Sequence, residues 1–224
     1  MNTGEFEREF DILYNNIMSN AAPSIDAYEK SVFLTKAQEE IVTAIYDGSF
    51  EHTEKATEYL DVLVTTETLD SAQSLDVFAP ALNQKKIAAN SKFFKLSNRA
   101  MFITYEALTM KNKDNCGHEI TVAVKPTKQD EYHRIRRNPF RRPRWREALR
   151  LNVEDMLEIV AVNNEYFYKV RYIRRPQPIV LYDEPGLTVE GVDTITQCEL
   201  TPSLHRAILD RAVQLAALAY KQTS

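Results

Sequence analysis

Glycine is scarce in this sequence: five among 224 residues, about a third of the usual frequency near 7%. None of the five sits in a glycine-rich loop, which excludes the backbone cradle of a P-loop or dinucleotide fold. Cysteine is scarcer still, and Cys116 and Cys198 are too few for a disulfide framework. No apolar run approaches the roughly 18–20 residues that span a bilayer, so no membrane contact is expected. The opening MNTGEFEREFD carries four acidic residues where a secretion signal needs a basic and then an apolar stretch, so no export is expected.

Catalytic patterns are missing as well. The Walker, kinase, HExxH and GxSxG signatures do not occur. His52, His118, His133 and His205 are scattered, and none has a second ligand at helical spacing. Cys116 and His118 supply at most two of the four ligands that zinc wants, and with Gly117 they read as a hairpin turn. Glu39 and Glu40 are adjacent on a helix, so they point apart rather than forming a carboxylate pair. No catalytic residue, metal or cofactor is expected.

What is present is an ordinary globular composition, 44% apolar and 27% charged, in a chain long enough to bury a core. The net charge of −4 hides a strong segregation. Residues 1–70 hold 15 acidic and 4 basic side chains, a net of −11, whereas residues 125–150 hold 10 basic and 3 acidic, a net of +7. Such polarity suits nucleic-acid contact or the packing of one copy's basic face on another's acidic face.

Helical periodicity marks both ends of the chain. Phe6, Phe10, Leu13, Tyr14 and Ile17 share one helical face. After a break at residues 20–24, a second helix starts near Ser24 or Asp26, with the stripe Tyr28, Val32, Phe33, Ala37, Ile41, Ala44 and Ile45, and ends before Gly48. A third is expected over 50–63, using Ala56, Tyr59, Leu60 and Leu63. Thr201, Pro202 and Ser203 open a C-terminal helix, striped by Leu204, Ile208, Ala212, Leu215 and Ala219 and widened by Leu209, Val213, Ala216 and Tyr220. Between the ends, residues 64–82 read as a loop with one strand. Runs at 93–96, 102–108, 119–124, 148–153, 157–162 and 167–173 then read as antiparallel strands, with a tight turn at Asn163 and Asn164 joining the last two. Ile179 to Leu181 adds a short strand beyond the prolines at 176 and 178. The class is α+β. Expected parts are a helical region 1–85, a β-rich insert 86–182 carrying a basic arm at 125–150, and a loop and helix 183–224 that packs back on the first part.

The basic arm, TKQDEYHRIRRNPFRRPRWR (127–146), is the most unusual stretch. Thr127 can cap a short helix, after which Pro139 and Pro143 favour extended backbone. Arg134, Arg136, Arg137, Arg141, Arg142, Arg144 and Arg146 can fork onto phosphates, with Tyr132, Phe140 and Trp145 stacking on bases. Equally, these arginines can pair with a neighbouring subunit's acids and Trp145 can anchor packing. A small nucleic-acid-binding protein using 125–150 thus stands beside a self-assembling one.

Five segments together carry a resemblance: FLTKAQEEIV (33–42), VKPTKQDEY (124–132), NPFRRP (138–143), YIRRPQPIVL (172–181) and CELTPSLH (198–205) with Ala212 and Val213. As a set they resemble a structural ring protein of the head–tail connector of crAss-like tailed bacteriophages. The layout of terminal helices around a β-rich insert is also similar to the adaptor proteins of short-tailed phages. The resemblance implies a non-enzymatic virion component, assembled in the bacterial cytoplasm as a dodecameric ring beneath the portal protein. It implies other connector or tail ring proteins as partners, and a channel through which genomic DNA passes. It implies too that the terminal helix reaches portal or a neighbouring subunit, with Leu204, Ile208, Val213 and Leu218 as contacts; the alternative for this wide stripe is burial in the chain's own core. At about 100° per residue, Leu218 lies at the stripe's margin.

Overall fold

A computed structural model describes residues 1–18, 23–50, 56–97, 99–111, 119–138, 140 and 147–221. In chain order, helices α1 (Thr3–Met18) and α2 (Ala27–Tyr46) and a 3₁₀ helix (Ala56–Leu63) lead to strand β1 (Val64–Asp70). Short turns including α3 (Leu75–Phe78) reach β2 (Ser91–Phe94), then β3 (Ala100–Lys111) and β4 (Glu119–Pro126). Helix α4 (Gln129–Arg137), β5 (Ala148–Val153), β6 (Met156–Val160) and β7 (Phe167–Arg174) follow, and α5 (Pro202–Lys221) closes the chain. The α+β class and the helices at both ends are as the sequence predicts. The chain forms two compact units, Met1–Leu63 with Arg175–Ser224, and Val64–Arg174.

These divisions differ from those expected at 85 and 182. Residues 64–70, read mainly as loop, pair along β7 for their whole length and so belong to the sheet. Residues 175–182, read as part of the insert, lie instead along α2.

In the helical unit, α5 packs on α2 and α1. Helix α2 starts at a capping box: the Asp26 carboxylate accepts the Glu29 N–H at 2.7 Å, and the Glu29 carboxylate accepts the Asp26 N–H at 3.3 Å. Its buried face is wider than the expected stripe and is shifted at the N-terminal half: Ala37, Ile41 and Ile45 are buried as expected. Tyr28, Val32 and Phe33 are half-buried, while Lys30, Ser31, Thr35 and Gln38 are buried. An extended segment explains this. Ser31 Oγ accepts the Leu181 N–H at 3.0 Å, Thr35 Oγ1 accepts the Ile179 N–H at 3.1 Å, and Gln38 Nε2 donates to the Gln177 carbonyl at 2.8 Å. Four helical residues rise about 6 Å and two extended residues about 6.6 Å, so a polar row on a helix matches alternate groups of a strand. The strand expected at 179–181 is reduced to one bridge, Val180 to Thr196, because the helix takes its other hydrogen bonds.

In the second unit, seven strands run in the order β1-β7-β3-β4-β5-β6-β2. Pairing is antiparallel except for β4 with β5, which is parallel, because residues 127–147 with α4 carry the chain back to the same end. No hairpin joins β6 to β7: β6 pairs with β5 and β2, and β7 with β1 and β3. Asn163 and Asn164 therefore lie on a crossover rather than in the tight turn that their residue types suggest. The sheet curls around a core that includes Phe94, Leu108, Val122, Ile159, Tyr168 and Tyr172. On its other face, Leu149, Leu151 and Val160 pack under Tyr132 and Ile135 of α4. Within the curl, Glu106 accepts from Arg150 at 2.9 Å and from the Tyr168 hydroxyl. Burial and the Glu106 charge push the Tyr168 pKa far up, so the phenol stays protonated as the donor.

Candidate subunit-contact surfaces

Helix α4 turns its apolar side to the sheet through Tyr132 and Ile135 and leaves Arg134, Arg136 and Arg137 exposed. Among the described residues, Arg134 makes only an exposed pair with Asp130 one turn back, at 3.4 Å, which adds little. Two expectations change here. Thr127 does not cap α4; the cap position is Lys128, with no side-chain bond, and the Thr127 hydroxyl turns to the Lys125 carbonyl. Tyr132 is buried as a core anchor and is closed to base stacking. Beyond the helix, Asn138 Oδ1 accepts the Phe140 N–H at 2.9 Å, and Phe140 stands 84% exposed. Arg141, Arg142, Arg144, Trp145 and Arg146 lie outside the described residues.

The acidic end of the chain is less available than its charge suggests. Lys30 is buried between Glu7 and Asp11, at 3.6 and 2.9 Å. Arg206 pairs with Glu9 at 3.3 Å, Arg211 with Glu40 at 2.6 Å, and Arg175 with Glu39 at 3.0 Å. Burial first, and the nearby Glu190 second, raise the Glu39 pKa. Glu7, Glu9, Asp11, Glu39 and Glu40 are thus paired within the unit with cations 19 to 197 residues away.

Helix α5 sorts the expected contact residues in two. Leu204, Ile208 and Val213 are buried in the unit's own core, whereas Leu218 is 54% exposed. The stripe is wide because two helices cover it, and this corrects the assignment of the first three to an outer interface.

Elsewhere the candidate chemistry is occupied structurally. The Cys198 thiol donates to Gln38 Oε1 at 3.2 Å, and burial pushes its pKa up to about 11. His205 Nε2 faces the Leu200 carbonyl at 2.9 Å, its Nδ1 faces the Met1 amine at 2.7 Å, and burial lowers its pKa. Among the described residues, no group of three His, Cys, Asp or Glu side chains is placed to hold a metal ion. The turn at Cys116 and His118 lies outside them.

A family model described as phage tail ring protein 3/4 matches residues 1–224. The chain belongs to this family. It is 38% identical over 232 residues to Ring protein 3 of Bacteroides phage crAss001, covering 99% of this chain and 97% of that protein. It is 37% identical over 239 residues to Ring protein 4/5 of the same phage, covering 99% and 94%. One phage thus carries two relatives of this chain under different ring names. Membership makes the protein a structural ring component of a bacteriophage virion, and the family's name is that of a structural part, not of an enzyme.

Proposed function

We propose that copies of this chain join head-to-tail into a closed dodecameric ring in the head–tail connector beneath the portal protein. The ring extends the channel through which genomic DNA leaves the head, and it stacks on other connector or tail ring proteins. The match of a ring-protein family along the whole chain carries this reading. Two further features support it. The fold leaves a row of arginines outward on α4, and a contact between unlike surfaces repeated by rotation generates a ring when the rotation closes. The role expected of the basic segment stays with Arg134, Arg136 and Arg137 and with Arg141, Arg142, Arg144, Trp145 and Arg146. At the C-terminal helix, Leu218 is the residue proposed to meet portal or a neighbour.

Changing Arg134, Arg136 and Arg137 together to Ser tests the choice between subunit contact and nucleic-acid binding. Loss of rings from a monomer with an unchanged thermal transition is the expected result. Intact rings with a flattened salt dependence of DNA binding would instead assign the arginines to phosphate contact.

A further inference from the structure

The strand-rich unit carries a cleft at one end of its sheet. It has a volume of about 470 Å³ and opens where the ends of β1, β3, β4 and β7 meet. Val162, Phe167 and Met110 give it an apolar lining, and Asp70, Glu119 and Glu165 stand around them. Asp70 also accepts the Ala72 N–H at 2.8 Å. Among the described residues, none of those lining the cleft is basic and no cation forms an ion pair with these carboxylates.

Elsewhere on the same unit is a surface of the converse kind. Phe140, at 84% exposure, is the most exposed large apolar side chain among the described residues. The Asn138 side chain steadies its backbone, and the exposed Arg134, Arg136 and Arg137 precede it. One surface is an apolar hollow among carboxylates; the other is an aromatic beside guanidinium groups.

We propose that the cleft receives Phe140 of a neighbouring copy, with that copy's α4 arginines facing Asp70, Glu119 and Glu165. Aromatic and arginine side chains dominate interface energetics when they enter a desolvated pocket. Arginine–carboxylate contacts add directional, charge-assisted hydrogen bonds. The two surfaces differ, so the contact is heterologous, as a ring requires. Phe78 is the next most exposed aromatic, at 73%. Its neighbours Val77, Ala79, Pro80 and Ala81 carry no charge to meet the carboxylates, which favours Phe140. The inference rests on the ring reading and names the faces that meet.

Cysteine pairing in the full-length chain tests it. Phe140→Cys and Val162→Cys are made separately in a Cys116→Ser background, mixed under oxidising conditions and run on non-reducing gels. Val162 is 49% exposed, so both variants should keep the wild-type thermal transition. Dimers from the mixture, and a ladder when both changes share one chain, are expected. Phe140→Ala should raise the concentration needed for half-assembly roughly 30-fold, the scale of an interface hot spot. A Glu119→Arg, Glu165→Arg chain and an Arg136→Glu, Arg137→Glu chain should each assemble poorly alone and recover when mixed. Normal rings without the cross-link overturn the proposal and leave the ring reading standing, as does cross-linking of Phe78→Cys in place of Phe140→Cys. A wild-type chain that stays monomeric even with portal removes both.

Discussion

Replacing Arg150 with Met should destabilise the strand-rich unit more than any surface change. The Arg150 side chain is 12% exposed and that of Glu106 is 7% exposed, and they meet at 2.9 Å across β4. Removing the guanidinium leaves Glu106 buried with the Tyr168 hydroxyl as its remaining donor. Breaking a buried pair from one side costs about 3–5 kcal/mol, because the surviving charge keeps its desolvation penalty without its partner. For a chain of this length that is a fall in Tm of roughly 6–20 °C. The double variant Glu106→Leu, Arg150→Met removes both charges together and should cost less, about 1–3 kcal/mol, because what remains is the buried Tyr168 hydroxyl without its acceptor. Urea unfolding followed by far-UV circular dichroism, with both single variants and the double, gives the coupling energy directly. A cost below about 1 kcal/mol for Arg150→Met alone would refute the reasoning, since it would mean that water already solvates the pair.

Other outcomes follow from named contacts. Asp26→Ala removes the capping box of α2 and should cost about 1 kcal/mol in urea titration, whereas Ser24→Ala should cost nothing measurable. Burial holds the His205 pKa below its ordinary 6.5, so the unfolded chain binds the proton more readily. Stability should be full above pH 6.5 and fall as pH drops below it; His205→Gln should remove that part of the slope in thermal melts taken across pH 5–7. Leu218→Glu, at an exposed position, should leave the thermal transition in place and weaken assembly in sizing experiments; loss of the transition would make Leu218 a core residue.

The elements whose apolar spacing suits a single covering surface were legible in the sequence. Phe6, Phe10 and Tyr14 on α1 and Leu204, Ile208 and Ala212 on α5 are buried as their spacing requires. The alternation of β7, Tyr168, Val170 and Tyr172 inward, is equally direct. The buried polar row of α2 was not legible, because Ser31, Thr35 and Gln38 gain their partners from residues 139 to 150 positions away. The crossover after β6 escaped for a similar reason, since Asn163 and Asn164 fit a hairpin locally and only the strand order decides against one. Charge counts registered the acidic end of the chain but not its internal pairing, because Arg206 and Arg211 meet Glu9 and Glu40 only after folding. The arginines of α4 were legible as a cluster in one run of sequence. The acid-edged cleft was not, since Asp70, Glu119 and Glu165 come together only at the ends of strands remote in the chain.

Ring assembly is tested most directly by native mass spectrometry of the full-length chain mixed with purified portal protein. A single closed oligomer of the 25.8 kDa subunit, free or bound to portal, is the expected result. A spectrum holding only the monomer beside intact portal would contradict it.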